Sequence, residues 1–303
     1  MHAAAFYHGQ GEYLDAVVPF IFAGLDNDEV GLVSAPGHNL TMLRDALGDA
    51  AAAVTFVDAA VVGRNPARLL GMQAAFLAKH PGRSVRMVGE VMWPGRTDDE
   101  YPGVVNHEAL FNTAFADSGI TGLCPYDAST WPQDVLTDAR ATHPLLWQHG
   151  ALAANTDYAP DAAAARYNEP LPSDGAALTY LVAELADLSP ARSFATRYAQ
   201  QAGLAPDRVA DLQLIATELA TNSLQHGGGA CELALWQRNG HIVCQASDSG
   251  RLDDPLAGRR LPPAGAIGGR GLFLVNTIAD LVRMHATPTG TTIQAYLRLT
   301  DQR

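Results

Sequence analysis

The sequence predicts an α/β protein of two domains, an open parallel sheet over residues 1–154 and a helix-covered sheet over residues 176–303. Three observations carry this reading. Short apolar runs alternate with amphipathic helical stretches through the first half. A segment rich in Ala, Pro and Asp, residues 155–175, lacks an amphipathic period and reads as a linker. Beyond it the order changes to strand, two helices, a hairpin, a glycine-rich stretch, a helix and two closing strands. The 303 residues suit two domains of ordinary size, and 48% hydrophobic against 17% charged residues supplies a core for each.

In the first half, residues 30–34, 54–57, 84–88 and 120–123 are short apolar runs bounded by Gly, Pro or Asp, as strands buried on both faces are. Residues 12–25, 40–47, 66–79 and 106–116 read as helices between them, so right-handed crossovers and a parallel sheet follow. In the second half, residues 177–183 form a strand. Ser189-Pro190 then opens a helix with an N-cap and a proline at its first position. A second helix starts at Pro206-Asp207, runs to about Gln225 and stops at His226-Gly227-Gly228-Gly229. Residues 231–237 and 241–247 make a hairpin across Arg238-Asn239-Gly240. A helix at 272–279 and strands at 281–286 and 291–299 complete the chain.

Composition removes several classes of function. A formal charge of −12 repels a phosphate backbone, which argues against direct nucleic-acid binding and favours a basic protein surface as partner. Lys79 is the only lysine, in Leu77-Ala78-Lys79-His80, so no phosphate-binding loop of the G-x-x-x-x-G-K type exists. Cys124, Cys231 and Cys244 form no C-x-x-C pair and are expected as buried thiols in a reducing cytoplasm. No signal-peptide pattern opens the sequence and no run of eighteen apolar residues occurs, so a cytoplasmic protein without membrane association is expected.

Chemistry concentrates in the second half. On the helix from Pro206, Val209, Leu212, Ala216, Leu219 and Ser223 share one stripe that should face the core. Glu218 and Asn222, four apart, lie beside each other on another flank, where an acid and an amide can hold hydrated Mg²⁺ and orient a hydroxyl. Asp248-Ser249-Gly250 ends a strand, placing a carboxylate where the sheet opens into a loop. Gly265-Ala266-Ile267-Gly268-Gly269-Arg270-Gly271 leads into a helix, and glycine backbone at a helix N-terminus suits phosphate oxygens, with Arg270 as a charged donor. Gly290-Thr291-Thr292 opens the last strand. Each piece alone is weak, and a solvated helix face is the plain alternative for Glu218 and Asn222; the order of all four carries the signal.

That order resembles the GHKL (Bergerat-fold) ATPase family, with an N box at Glu218-x-x-x-Asn222, a G1 box at Asp248-x-Gly250, a G2 box at Gly269-x-Gly271 and the closing Gly290-Thr291. It most resembles the anti-sigma serine kinases of bacterial stress and sporulation regulation, with their Glu-Leu…Asn…His-Gly helix. The resemblance implies an α/β sandwich that binds ATP with Mg²⁺. Asn222 would hold the Mg²⁺ and Asp248 would read adenine, with Gly250 allowing close approach. Gly268, Gly269, Arg270 and Gly271 would form the phosphate lid, and Thr291 or Thr292 would help seat the base. Glu218 would be the general base for transfer to a serine or threonine hydroxyl. Arg251-Leu252-Asp253 stand where many relatives carry a further glycine, so that loop is expected to be ordered differently. The lack of a histidine-bearing hairpin before the domain argues against an autophosphorylating histidine kinase, and His226 reads as a helix-end residue.

In the first half, Ala35-Pro36-Gly37-His38-Asn39 sits between a strand and a helix where a RecA-like domain would carry its phosphate loop, without the lysine. Residues 1 to about 150 resemble the MEDS sensory domain, a RecA-like module lacking that lysine. The likeness includes Gly89-Glu90-Val91-Met92-Trp93-Pro94-Gly95-Arg96, His107-Glu108-Ala109-Leu110 and Cys124-Pro125-Tyr126-Asp127. Glu90, Trp93, Arg96, Tyr126 and Asp127 fall at or just beyond strand C-terminal ends, where open α/β sheets place ligands. With His107 they form the candidate sensory pocket for a small molecule. The competing reading makes Trp93 and Tyr126 packing residues and Glu90–Arg96 an ion pair. His107 and Cys124 together are two metal donors short of a set.

The resemblances imply an anti-sigma-type regulator with a sensory input domain. It binds Mg-ATP, sequesters a sigma factor and phosphorylates a STAS-domain anti-anti-sigma partner, and a homodimer is in keeping with such ATPases. The alternatives are a non-catalytic ATP-binding interaction module and a ligand sensor whose chemistry lies in the first domain.

Overall fold

The computed structural model describes residues 1–148, 150–260 and 269–299. It comprises two compact units, Met1–Tyr167 and Asn168–Arg303. Among the described residues no helix is long and apolar enough to cross a membrane.

The first unit runs β1 (His2–Tyr7), α1 (Gly9–Asp26), β2 (Val30–Ala35), α2 (Gly37–Leu47), β3 (Val54–Asp58), α3 (Ala59–Val62), α4 (Ala67–Ala78), β4 (Val85–Gly89), α5 (Tyr101–Ala114), β5 (Ile120–Asp127), α6 (Gln133–Thr142), β6 (Leu145–Gln148), β7 (Ala151–Ala154) and α7 (Pro160–Arg166). The sheet order is β3-β2-β4-β5-β1-β6-β7, parallel throughout except for the antiparallel β6–β7 pair at one edge. The expected open parallel sheet is therefore present, with one antiparallel edge hairpin that the sequence pattern did not reveal. Apolar clusters lie on both faces. Val17, Phe20 and Leu43 belong to one and Leu69, Val104 and Tyr126 to another.

The segment expected as a linker, 155–175, instead contains α7 and the break between the units. Proline at the first position of α7 and the alanines after it support a helix. Because nearly every position there is small and apolar, no amphipathic period could show. Ala163 is fully buried. Arg166 and Tyr167 both bond the Asp138 carboxylate at 2.5 Å, which fixes α7 within the first unit.

The second unit runs β8 (Leu178–Val182), α8 (Leu188–Ala202), α9 (Pro206–His226), β9 (Cys231–Arg238), β10 (His241–Asp248), α10 (Gly271–Ile278), β11 (Leu281–Thr287) and β12 (Gly290–Arg298). Its sheet, in the order β11-β12-β10-β9-β8, is antiparallel throughout. Asn239 and Gly240, at φ 47° and 75°, make the tight β9–β10 turn, matching the right-handed twist of the strands. The helices cover one face. Leu212, Ile215, Ala216 and Leu219 of α9 pack on Leu233, Leu235, Ile242 and Cys244, all 1% exposed or less. At the β11 edge, the Asn168 side chain bonds both the N–H and the C=O of Ala286, closing part of an edge that would otherwise stand open. This is the α/β sandwich the sequence predicts.

Candidate functional site

Strand alternation decides which side chains reach the main cavity. Ile242, Cys244 and Ala246 of β10 face the helices, so Asp248, two residues further, points the same way. Thr291 lies opposite Asp248 in the β10–β12 ladder and shares that face with Ile293. Between sheet and helices here opens a cavity of about 560 Å³, with Asn222, Asp248, Gly250, Gly269 and Thr291 among its walls. Thr292, the adjacent residue, takes the opposite face, its Oγ1 3.3 Å from Ser247 Oγ. It does not reach the cavity because neighbouring strand residues point in opposite directions.

Asp248 is held from two sides. Ser223 Oγ donates to its Oδ2 at 2.6 Å and the Gly250 N–H to its Oδ1 at 2.9 Å. Thr291 Oγ1 donates to the Gly250 carbonyl at 2.8 Å, pinning the same turn to β12. Each carboxylate oxygen keeps a lone pair for a further donor. The turn exists only because two glycines meet. A Cβ on Gly250 would overlap the Gly227 backbone, and one on Gly227 the Asp248 carboxylate.

Asn222 and Glu218 meet the start of α10. A Cβ on Gly271 would lie 2.6 Å from Glu218 Oε2 and 3.2 Å from both polar atoms of the Asn222 amide, so a side chain there would push these two polar tips aside. Asn222 Nδ2 is buried and has no hydrogen-bond partner among the described residues, which leaves a donor for a ligand. Glu218 lies against Gly271 but is not one of the cavity walls. Gly269 lines the cavity at φ 76°, whereas Arg270 is exposed at the N-cap of α10 and outside the walls. Gly268 lies outside the described residues. His226 is the last residue of α9, exposed at the cavity edge, as its following glycines imply.

Three contributors escaped sequence reading. Ser223 was visible only as a hydroxyl on an apolar stripe, which should have asked for a partner. The loop after Asp248 supplies Leu252, Leu256 and Gly258 as a further wall. Gly258, at φ 71°, presses on Leu272, and Asn276 Nδ2 donates to its carbonyl at 2.8 Å, anchoring that loop to α10.

In the first unit, a smaller cavity of about 240 Å³ sits beyond the C-terminal ends of β1, β2, β4 and β5 and takes in Glu90, Trp93 and Asp127 of the expected pocket. Glu90, 4% exposed, accepts from Tyr13 Oη and, at 2.7 Å, from Asn39 Nδ2. Burial, opposed by those two bonds, pushes its carboxyl up to about 7. Asp127 is engaged by its own turn, accepting from Ser129 N–H at 2.9 Å and Thr130 Oγ1 at 3.0 Å.

Arg96, Tyr126 and His107 are placed elsewhere. Arg96 stacks on the Trp93 ring at 3.7 Å and donates to the carbonyls of Val91 and Gly63 at 2.7 and 2.8 Å, clamping two loops together. Its ion pair is with Glu100, 3.5 Å away, not with Glu90. Tyr126 neighbours Asp127 on β5 and therefore points to the opposite face, where its hydroxyl donates to Glu108 Oε1 at 3.1 Å. His107 is buried edge-on to Phe111. Tyr13 is a pocket residue that carries no local signal in the sequence, and Asn39 comes from the segment after β2 that stands where a phosphate loop would.

The MEDS family, described as the MEthanogen/methylotroph, DcmR Sensory domain, matches residues 1–144. The family described as Histidine kinase-like ATPase domain matches residues 181–297. No curated protein matches the chain. Among solved structures, the chain is similar to one in the SiaB-SiaC complex from Pseudomonas aeruginosa at 15% identity, covering 40% of this chain and 88% of that one, with a TM-score of 0.33. It is also similar to the RsbU and RsbW domains of a Mycobacterium tuberculosis protein at 16% identity, covering 41% of this chain and 33% of that one, with a TM-score of 0.31. Likenesses this distant carry no inference, so the assignment rests on the two family matches: the chain joins a MEDS sensory domain to a histidine kinase-like ATPase domain.

Proposed function

We propose that the protein is a cytoplasmic anti-sigma-type regulator whose second domain binds Mg-ATP and whose first domain takes the input. One observation carries the nucleotide reading. A cavity of about 560 Å³ has a doubly held carboxylate, Asp248, on one wall and an amide with an unpartnered buried nitrogen, Asn222, on another. That size suits a nucleotide. Asp248 can accept from an exocyclic adenine amino group while Thr291 and Gly250 shape the seat of the ring. Asn222 supplies the amide oxygen for Mg²⁺, and the N-terminal N–H groups of α10 with Gly269 suit phosphate oxygens. Bound Mg-ATP would supply the transferable phosphoryl group. Glu218, beside Asn222 and Gly271, would take the proton from the attacking serine or threonine hydroxyl of a STAS-domain partner. The charge of −12 suits capture of a basic sigma-factor surface.

Incubation with γ-labelled ATP and candidate STAS partners tests the kinase reading. Label on the partner, lost in Glu218→Ala, supports it. Nucleotide retained without transfer to any partner supports the second reading, a non-catalytic ATP-binding module, which the position of Glu218 outside the cavity walls favours.

A further inference from the structure

We propose that His2, Glu108, Cys124 and His143 form a buried four-coordinate site for a divalent transition-metal ion, with Zn²⁺ the ion that their donor set fits. The four residues come from separate elements. His2 opens β1, Glu108 lies on α5, Cys124 on β5, and His143 directly follows α6. They are 1%, 1%, 6% and 0% exposed. One donor atom from each lies within 4.8 Å of all the others.

Four of the six donor pairs stand close to the spacing of a coordination shell. Metal–ligand bonds of 2.0–2.3 Å place tetrahedral ligands roughly 3.3–3.8 Å apart. His2 Nε2 lies 3.1 Å from Glu108 Oε2 and 3.3 Å from Cys124 Sγ; Glu108 Oε2 lies 3.4 Å from His143 Nε2 and 3.7 Å from Cys124 Sγ.

The protonation pattern asks for a cation. His143 Nδ1 lies 2.6 Å from the Ala139 carbonyl, which can only accept, so Nδ1 carries the proton and Nε2 presents a lone pair. That Nε2 is buried, has no hydrogen-bond partner among the described residues and faces the Glu108 carboxylate. A lone pair against a carboxylate oxygen in a dry interior is repulsive unless a positive charge lies between them. Among the described residues the only ion-pair partners of Glu108 are His2 and His143. A dication with the Cys124 thiolate and the Glu108 carboxylate sums to zero charge.

The surroundings have the form that metal ligands use. The Ala139 carbonyl orients His143, and Tyr126 Oη donates to the oxygen of Glu108 that faces away from the cluster. Four protein ligands leave no open position, so the ion would tie β1, β5, α5 and the end of α6 together rather than perform catalysis. Mixed nitrogen, sulfur and oxygen donors in a tetrahedral array select Zn²⁺ over Mg²⁺ or Ca²⁺. The pair raised from sequence, His107 with Cys124, is not the one used, since His107 lies outside this cluster.

The experiment strips the full-length protein with a chelator and titrates it with Co²⁺, read by visible absorption. The expected result is one Co²⁺ per chain, with intense four-coordinate d–d bands and a thiolate-to-cobalt charge-transfer band, all displaced by Zn²⁺. The charge-transfer band should disappear in Cys124→Ser and persist in Cys231→Ser/Cys244→Ser. His143→Ala should weaken Co²⁺ binding at least about 10-fold, the least that loss of even a supporting group costs. Absence of a four-coordinate cobalt spectrum in the folded wild-type protein would overturn the proposal whatever the variants do, as would a thiolate band that survives Cys124→Ser.

Discussion

Asp248, half-buried, and Glu90, buried, are two carboxylates with opposite tasks. Asp248 already accepts from Ser223 and Gly250, so the turn holds it with its remaining lone pairs toward the cavity. Asp248→Asn removes the charge that strengthens any further bond, a loss of about 1.5–3 kcal/mol or roughly 10–100-fold in nucleotide affinity. Glu90 binds its proton more tightly in the folded state, at about 7 against an ordinary 4.5. The stability this contributes is complete below the ordinary value and is lost as pH rises through about 7, a loss of about 3 kcal/mol. Glu90→Gln stays neutral at every pH. Denaturant titrations should therefore show its stability relative to wild type rising between about pH 4 and pH 8 and flat below that interval. A difference independent of pH would contradict the assignment.

At the scale of elements, the second domain depends on backbone contacts that admit no side chain. Gly250 lies on the Gly227 backbone at the junction of β10 and α9. Gly250→Ala should destabilise this domain by about 1–3 kcal/mol, read by chemical denaturation, because the clash is with backbone rather than a flexible tip. Elements with strong local patterning were legible in the sequence. Asn239-Gly240 marked the hairpin and Pro206 a helix start, whereas α8 begins at Leu188 with Asp187 at its N-cap, so Ser189 and Pro190 lie inside its first turn and not at the expected cap. Elements whose identity comes from tertiary context were not legible. β1 is half alanine, a poor strand former, yet pairs with β5 and β6 near the middle of its sheet. α7 hides in an alanine run. Single-residue errors had one cause, since Thr292 beside Thr291 and Tyr126 beside Asp127 differ by one strand position and therefore by a whole face. The cluster at 2, 108, 124 and 143 had no local spacing to find.

For the whole molecule, a sensory domain and an ATPase domain with separate cores predict separable responses to ligand. A ligand that binds only the folded second domain adds about 2.7 kcal/mol to it at a hundred times its dissociation constant. Calorimetric scans with saturating Mg-ATP should raise the transition of that domain, and Asp248→Asn should abolish most of the rise. The most direct test of the central claim, that the Asp248–Asn222 cavity is a nucleotide site, is isothermal titration with a non-hydrolysable ATP analogue and Mg²⁺. The account predicts one site per chain, weakened at least about 10-fold in Asp248→Asn with the fold intact. No binding to the wild-type protein, or equal affinity in Asp248→Asn, would contradict it.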